Sequence, residues 1–308
     1  MVRAVVLGSA AGGGFPQWNS NAPACRRARR GDPEARVRSQ ASLAVSSNNK
    51  DWVLLNASPD LRLQIEAAPQ LYPCKGLRSS PITGVVLTGG DVDAIAGLLH
   101  LRERHRFNIY APSRVLAIIA ANPIFDVLAP DFVRRIELPL DERMELAGAS
   151  GASGLAVIPF AVPGKLPLYL ETAGQDPGLS EEGDAVGLEI IETATGKSFF
   201  FVPGCAAITE QLRARLAGSA LVFFDGTLWS DDEMIRLAVG SKTGKRMGHM
   251  SMSGEDGTIA AFHDLGVGRR IFIHINNSNP VLLDDSPERH IANAAGWEIA
   301  YDGMEVTL

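Results

Sequence analysis

Short apolar runs recur along the whole chain, at residues 2–7, 42–46, 52–56, 85–88, 108–111, 155–160, 187–191, 199–202, 221–224 and 271–274. Several are continuous and lack the alternation of a half-exposed strand, so they predict strands buried on both faces. Amphipathic stretches between some of them predict helices over 59–67, 93–104, 113–121, 209–217, 258–265 and 286–295. Strand pairs with no helix between them fall at 42–56 and 187–202, which a uniform βα barrel does not accommodate. An α/β chain with two mixed sheets flanked by helices fits this order.

The order of elements before and after about residue 150 is similar: antiparallel strands, then strand, polar turn and helix. That pattern predicts one domain over residues 1–308 built from pseudo-repeated halves, about 1–150 and 151–308. No linker rich in Pro, Ser or charge separates the halves, and the small-residue segment Gly148-Ala149-Ser150-Gly151-Ala152-Ser153-Gly154 is short enough to be a hairpin-like connection.

A hydrophobic content of 46% with 21% charged residues is that of a soluble globular protein, and no segment approaches the roughly 20 apolar residues of a membrane span. Residues 1–7 are apolar but interrupted by Arg3, which reads as a first strand and not a secretory signal, so the cytoplasm is the expected compartment. A net charge of −6 provides no general field for nucleic acid. The basic run Arg26-Arg27-Ala28-Arg29-Arg30 is expected to be a solvated loop. Cys25, Cys74 and Cys205 are too few and too scattered for a disulfide framework or a self-contained zinc knuckle, and reduced thiols are expected.

Candidate chemistry gathers at the ends of the apolar runs. Gly8-Ser9-Ala10-Ala11-Gly12-Gly13-Gly14 follows the first strand, but neither dinucleotide nor P-loop spacing can be read from it. It is either a tight loop needing positive φ or a backbone approach to a ligand. Asp91 and Asp93, then Pro203-Gly204-Cys205, then Asp225 in Phe224-Asp225-Gly226-Thr227, then His274-Ile275-Asn276-Asn277 all follow strands, and such ends converge at one edge in α/β folds. Each aspartate alone reads more readily as a turn or helix cap, and it is the four positions together that point to a site. His249 and His274 lie in polar contexts beside strand ends, whereas His100, His105, His263 and His290 fall on helical segments or their ends and are expected at the surface. Asp93, Asp225 and His274 together would offer two hard oxygen donors and one imidazole, a set suited to Fe(II), Mn(II) or Zn(II).

The stretch Thr88-Gly89-Gly90-Asp91-Val92-Asp93-Ala94-Ile95-Ala96-Gly97-Leu98 resembles the metallo-β-lactamase pattern T-H-x-H-x-D-H-x-x-G-L, with Thr88, Asp93, Gly97 and Leu98 retained. More specifically, residues 7–19, 55–60, 162–165 and 202–205, Lys242-Thr243-Gly244, Arg246-Met247-Gly248-His249 and residues 274–277 resemble, in order, the B family of pyrroloquinoline quinone (PQQ) synthesis proteins. The resemblance implies the αβ/βα four-layer sandwich of the metallo-β-lactamase superfamily. It also implies a place in making PQQ from a glutamate and a tyrosine of a precursor peptide.

The activity so implied is that of an Fe(II)-dependent oxygenase hydroxylating the tyrosine-derived ring, with O2 and a small or peptide-derived quinone precursor as its partners. Zn(II) is the alternative ion, and a homodimer is left open. The metal ligands would be Asp93, Asp225 and His274 with Asp91 as a fourth, and His249 would be the catalytic proton shuttle. Lys165, Lys242 and Arg246 would meet carboxylates, Trp18 and Phe15 would offer a stacking face, and Asn276 and Asn277 would complete the substrate contacts.

Three positions depart from the family pattern. Ala94 stands where the family has a histidine, which predicts weakened metal occupancy, and Gly89 stands where it has asparagine. The family's structural-zinc cysteines are reduced to Cys25, with Ser20 and Ala22 at the other positions, so no structural zinc is expected. Two further readings remain open: a non-enzymatic carrier of the quinone or its precursor, and a divergent metal hydrolase. The hydrolase is the weaker of the two, because Gly89, Asp91 and Ala94 replace histidines of the usual binuclear zinc site.

Overall fold

In the computed structural model, which describes residues 1–170 and 182–308, the predicted strands form the interior of two seven-stranded sheets. The first sheet contains β1 (Arg3–Gly8), β2 (Ser42–Ser46), β3 (Trp52–Leu55), β4 (Ile82–Val86), β5 (Phe107–Ala111) and β6 (Val133–Glu137). The second contains β7 (Met144–Gly148), β8 (Gly151–Ala161), β9 (Val186–Glu192), β10 (Ser198–Val202), β11 (Leu221–Asp225), β12 (Arg269–Ile273) and β13 (Trp297–Ile299). The last strand, β14 (Glu305–Thr307), crosses back to pair antiparallel with β1, so the strand orders are 14-1-2-3-4-5-6 and 13-12-11-10-9-8-7. The change of sheet falls between β6 and β7, just before residue 150, and β7 and β8 form a hairpin in which Gly148 pairs with Gly151.

Side-chain parity sorts the core into layers. Val6, Leu43, Val45, Val53, Leu55 and Val86 of the first sheet pack against Leu155, Val157, Leu188, Phe199, Phe201 and Phe223 of the second. The alternate residues face outward: Val5, Leu7, Leu54 and Val85 lie in one outer cluster, and Phe200, Val202, Val222 and Phe224 in the other. Strands with apolar residues of both parities therefore need cover on both faces, which gives a four-layer αβ/βα sandwich of the kind the family resemblance implies. Each fully buried Val, Leu or Phe contributes roughly 1.5–3 kcal/mol, so the central strands hold the sheets together.

The helices of the outer layers are α1 (Pro23–Arg29), α2 (Leu61–Ala67), α3 (Val92–Ile95), α4 (Ser113–Ala121), α5 (Glu210–Leu216), α6 (Glu233–Arg236), α7 (Thr258–Ala261) and α8 (Pro287–Ala294). The helix expected over 93–104 is instead the short α3 followed by a 3-10 helix, Ala96–Leu101. Its backbone is diverted by a neighbouring segment: Ala57 N donates to Ala94 O at 2.7 Å and Gly97 N donates to Ala57 O at 2.8 Å. Those two bonds replace α-helical ones, and a Cβ on Gly97 would lie 2.1 Å from Ser58 O, so only glycine permits the approach. The segment expected to be helical over 258–265 is likewise confined to α7.

The basic run also differs from expectation. Residues 26–29 lie on α1, which starts with Pro23 at its first position, a favoured place for proline. Arg29 donates to the carbonyls of Gln17, Trp18 and Ser20, and Arg26 donates to that of Asn21 at 2.8 Å. The run is therefore a helical clamp on the loop over 17–21 and not a solvated loop.

Candidate metal centre

The parallel strands of both sheets end at one rim, and the loops that follow them line a cavity of about 1400 Å3. The glycine-rich loop joins the two sheets here: Ala11 N donates to Ile275 O at 2.8 Å and Ile275 N to Ser9 O at 3.0 Å. Both readings of that loop apply to particular residues. Gly13 and Gly14 take φ of 90° and 70°, and Gly12 and Gly13 line the cavity.

Asp225 ends β11 and is fully buried. Its carboxylate accepts four hydrogen bonds: Oδ1 from Thr227 N at 3.0 Å and Thr227 Oγ1 at 2.6 Å, Oδ2 from Cys205 N at 2.9 Å and His249 Nδ1 at 2.6 Å. His274, just past β12, has φ of 59°, an unusual left-handed conformation for a side chain of this size. Its Nε2 lies 2.8 Å from Asp93 Oδ2, and its Nδ1 lies 2.9 Å from Thr227 Oγ1. The imidazoles of His249 and His274 are stacked with centroids 5.2 Å apart.

Among the described residues, Asp225, His249 and His274 offer ligand atoms that all lie within 4.8 Å of one another, and Asp93 joins them through His274. Neighbouring ligands on a six-coordinate ion with bonds of about 2.1 Å sit about 3 Å apart, close to the Asp93–His274 separation. Burial alone would disfavour both charged forms. The hydrogen bond and attraction between them prevail, lowering the Asp93 pKa and raising that of His274, which Asp225 and Asp91 also favour as a cation. The residues present therefore fit a divalent ion. Asp225 would reach it by exchanging one of its four donors, and the only one supplied by a cavity-lining imidazole is His249.

Several expected roles find a different setting. His249, expected as a proton shuttle, stands inside the ligand cluster itself. Asp91 occupies the residue before α3 and lines the cavity, as do Lys165, Lys242, Asn276 and Asn277. Trp18 and Arg246 are exposed and are not part of the cavity wall, and Phe15 is 1% exposed within an outer core cluster, so it offers no stacking face. His100, His263 and His290 are exposed, whereas His105 is half-buried after a turn.

The cysteines do not enter the donor set. Burial pushes the Cys205 thiol up to about 12, so it remains protonated, and its Sγ donates to Ala207 O at 3.2 Å. Cys25 is buried with Sγ 3.8 Å from Asn277 Oδ1, while the Ser20 hydroxyl accepts from Ala22 N at 3.3 Å. Ala94 is buried and lines the cavity next to Asp93, and a Cβ on Gly89 would meet only Asp184 O at 3.4 Å, an ordinary contact.

Sequence reasoning left other functional neighbours unassigned. Thr227 touches Asp225, His249 and His274 at once, and Asn56, with φ of 62°, holds Thr88 by Oδ1 to its amide and Nδ2 to its hydroxyl, both at 2.9 Å. Glu233 lines the cavity and accepts from Trp229 N and Ser278 Oγ at 2.6 Å each; burial raises its pKa to about 7. The Asp-Gly-Thr sequence at the end of β11 is the one signal that pointed towards Thr227.

Comparison with known proteins agrees with this construction. Residues 51–275 match the beta-lactamase superfamily domain. Over its full length the chain is 57% identical to coenzyme PQQ synthesis protein B of Gluconacetobacter diazotrophicus and 53% identical to that of Bradyrhizobium diazoefficiens, covering all of each. The solved structure of Zn(2+)-bound PqqB from Methylobacterium extorquens is 50% identical and superposes with a TM-score of 0.94 over 99% of this chain and 100% of that one. A diphosphatase of the PhnP family, 20% identical, shares the fold with a TM-score of 0.67 over 100% of this chain and 98% of its own. With full-length identities above half and the superfamily's sandwich around the cavity, the chain belongs to the coenzyme PQQ synthesis protein B family.

Proposed function

We propose that the protein is an Fe(II)-dependent oxygenase that hydroxylates the tyrosine-derived ring of a PQQ precursor in the cytoplasm. The observation that carries this reading is the clustering of Asp225, His249 and His274, with Asp93 on His274, at the wall of the large cavity. The Methylobacterium extorquens relative is Zn(2+)-bound, which supports metal binding as a property of the family. Iron bound there would supply activation of O2, because three protein ligands leave coordination positions open.

The protein's own residues account for the remaining requirements. Asp93, Asp225 and His274 would hold the ion, and Asp91 stands on the same rim. His249, released from Asp225 once that carboxylate turns to the ion, would stand on the cavity wall as the imidazole that takes or returns the ring proton. Lys165 and Lys242 provide positive charge on the wall for carboxylates, and Asn276 and Asn277 provide amides for a peptide-derived substrate. The cavity exceeds the ~300–1,000 Å3 common for small ligands, so it has room for a peptide-derived molecule.

The test is incubation of anaerobically Fe(II)-loaded protein with a tyrosine-containing precursor, a reductant and isotopically labelled O2. The expected product carries one labelled oxygen on the ring. Tight precursor binding with no label transfer, with or without iron, would favour the carrier reading that the cavity's size also accommodates.

A further inference from the structure

We infer that Thr227 is a positioning residue that sets the tautomer of His274 and so presents Nε2 as a metal-ligating lone pair. The inference rests on the reading of the cluster as a metal site. Thr227 is 4% exposed, and its Oγ1 has four polar neighbours: Asp225 Oδ1 at 2.6 Å, His274 Nδ1 at 2.9 Å, His274 O at 3.0 Å and His249 Nδ1 at 3.1 Å. A hydroxyl has one proton and two lone pairs, so these neighbours cannot be served alike.

The carboxylate and the carbonyl accept only, and the carboxylate is both charged and nearer, so the hydroxyl proton goes to Asp225 Oδ1. His249 Nδ1 lies closer to Asp225 Oδ2, at 2.6 Å, and its proton goes there. The group left to donate to the Thr227 oxygen is His274 Nδ1. Once Nδ1 carries the proton, the neutral ring has its lone pair on Nε2, the nitrogen that faces Asp93 at 2.8 Å. Without the hydroxyl, Nδ1 keeps no hydrogen-bond acceptor among the described residues, and Asp93 draws the proton onto Nε2, where it blocks the ion.

Outer partners of metal-bound histidines typically change affinity about 10- to 100-fold, which sets the scale of the test. Zn(II) affinity is measured by competition with a chromophoric chelator for the wild type, Thr227→Val and Thr227→Ser, with thermal unfolding in chelator as a check on folding. The expected result is a loss of about 10- to 100-fold for Thr227→Val and near-wild-type affinity for Thr227→Ser. Nitrogen NMR of the zinc-loaded wild type should show a protonated Nδ1 on His274. Equal affinity in the wild type and Thr227→Val, or equal loss in Val and Ser variants, overturns the role of the hydroxyl. Failure of the wild type to bind Zn(II) overturns the metal-site reading itself and the inference with it.

Discussion

Ala94 follows Asp93 directly and lines the cavity, yet its methyl group donates nothing to a cation. A metal ion held here would therefore have to rely on Asp93, His274 and the Asp225–His249 pair. Ala94→His supplies an imidazole beside this set and is expected to tighten Zn(II) binding by at least about 10-fold in a chelator competition, given the scale of metal-site substitutions. Unchanged affinity would place the side chain of residue 94 outside the coordination sphere.

Glu233 provides a second test at this scale. Its carboxyl has an ordinary value of 4.5 and is raised to about 7 by burial, so folding favours its neutral form. That contribution is complete below pH 4.5 and is lost as the pH rises through 7. Glu233→Gln does not titrate, so its stability relative to the wild type should rise by roughly 3 kcal/mol between acid and mildly alkaline pH, as read from urea unfolding. Parallel pH profiles for the two proteins would refute the assignment.

Strands were readable in the sequence according to their place in the sheets. The central strands other than β9 carry apolar residues facing both an inner and an outer layer, as Phe199 and Phe201 do on one side of β10 and Phe200 and Val202 on the other. The strands that the apolar pattern leaves unmarked, β6, β7, β13 and β14, are the outermost strands of the two sheets. Edge strands lie beside one neighbour only and carry polar residues such as Arg134, Arg135 and Glu145, so the pattern fades there. Helices shortened for another reason: the carbonyl of Ala94 and the amide of Gly97 are taken by the backbone at Ala57, a tertiary contact that no local periodicity encodes. Gly97→Ala should therefore cost about 1–3 kcal/mol or more, seen as a lowered Tm, because its Cβ would collide with the Ser58 carbonyl. A Tm equal to that of the wild type would show that the 57–58 segment can retreat.

At the scale of the whole molecule, the site exists only because two sheets bring their strand ends to one rim. Asp93 comes from the first sheet, whereas Asp225 and His274 come from the second, so the Asp93–His274 contact spans 181 positions of sequence. The individual strand-end residues were legible as candidates. Their pairing was not, because the choice between a capping aspartate and a ligand depends on what lies opposite.

In the metal-free protein this contact should govern pH dependence. His274 is raised above its ordinary 6.5, so its contribution is complete below that value and is lost as the pH climbs through the raised pKa. Asp93 is lowered below 3.8, so its contribution is present above that value and is lost only at stronger acid. Stability from the pair should hold between those limits and decline on the alkaline side, and Asp93→Asn should flatten that decline in chelator-treated protein. An unaltered pH profile in that variant would argue against the ion pair. Zn(II) affinity should rise over the same alkaline range, since the ion competes with the proton on Nε2.

The most direct measurement is the metal content of protein purified anaerobically with Fe(II), for the wild type beside Asp93→Ala, Asp225→Ala and His274→Ala. About one iron per wild-type chain is expected, with marked loss in each variant and folding of the metal-free forms checked by circular dichroism. A wild-type protein without stoichiometric metal, or variants that retain it fully, would contradict a metal-dependent oxygenase built on these residues.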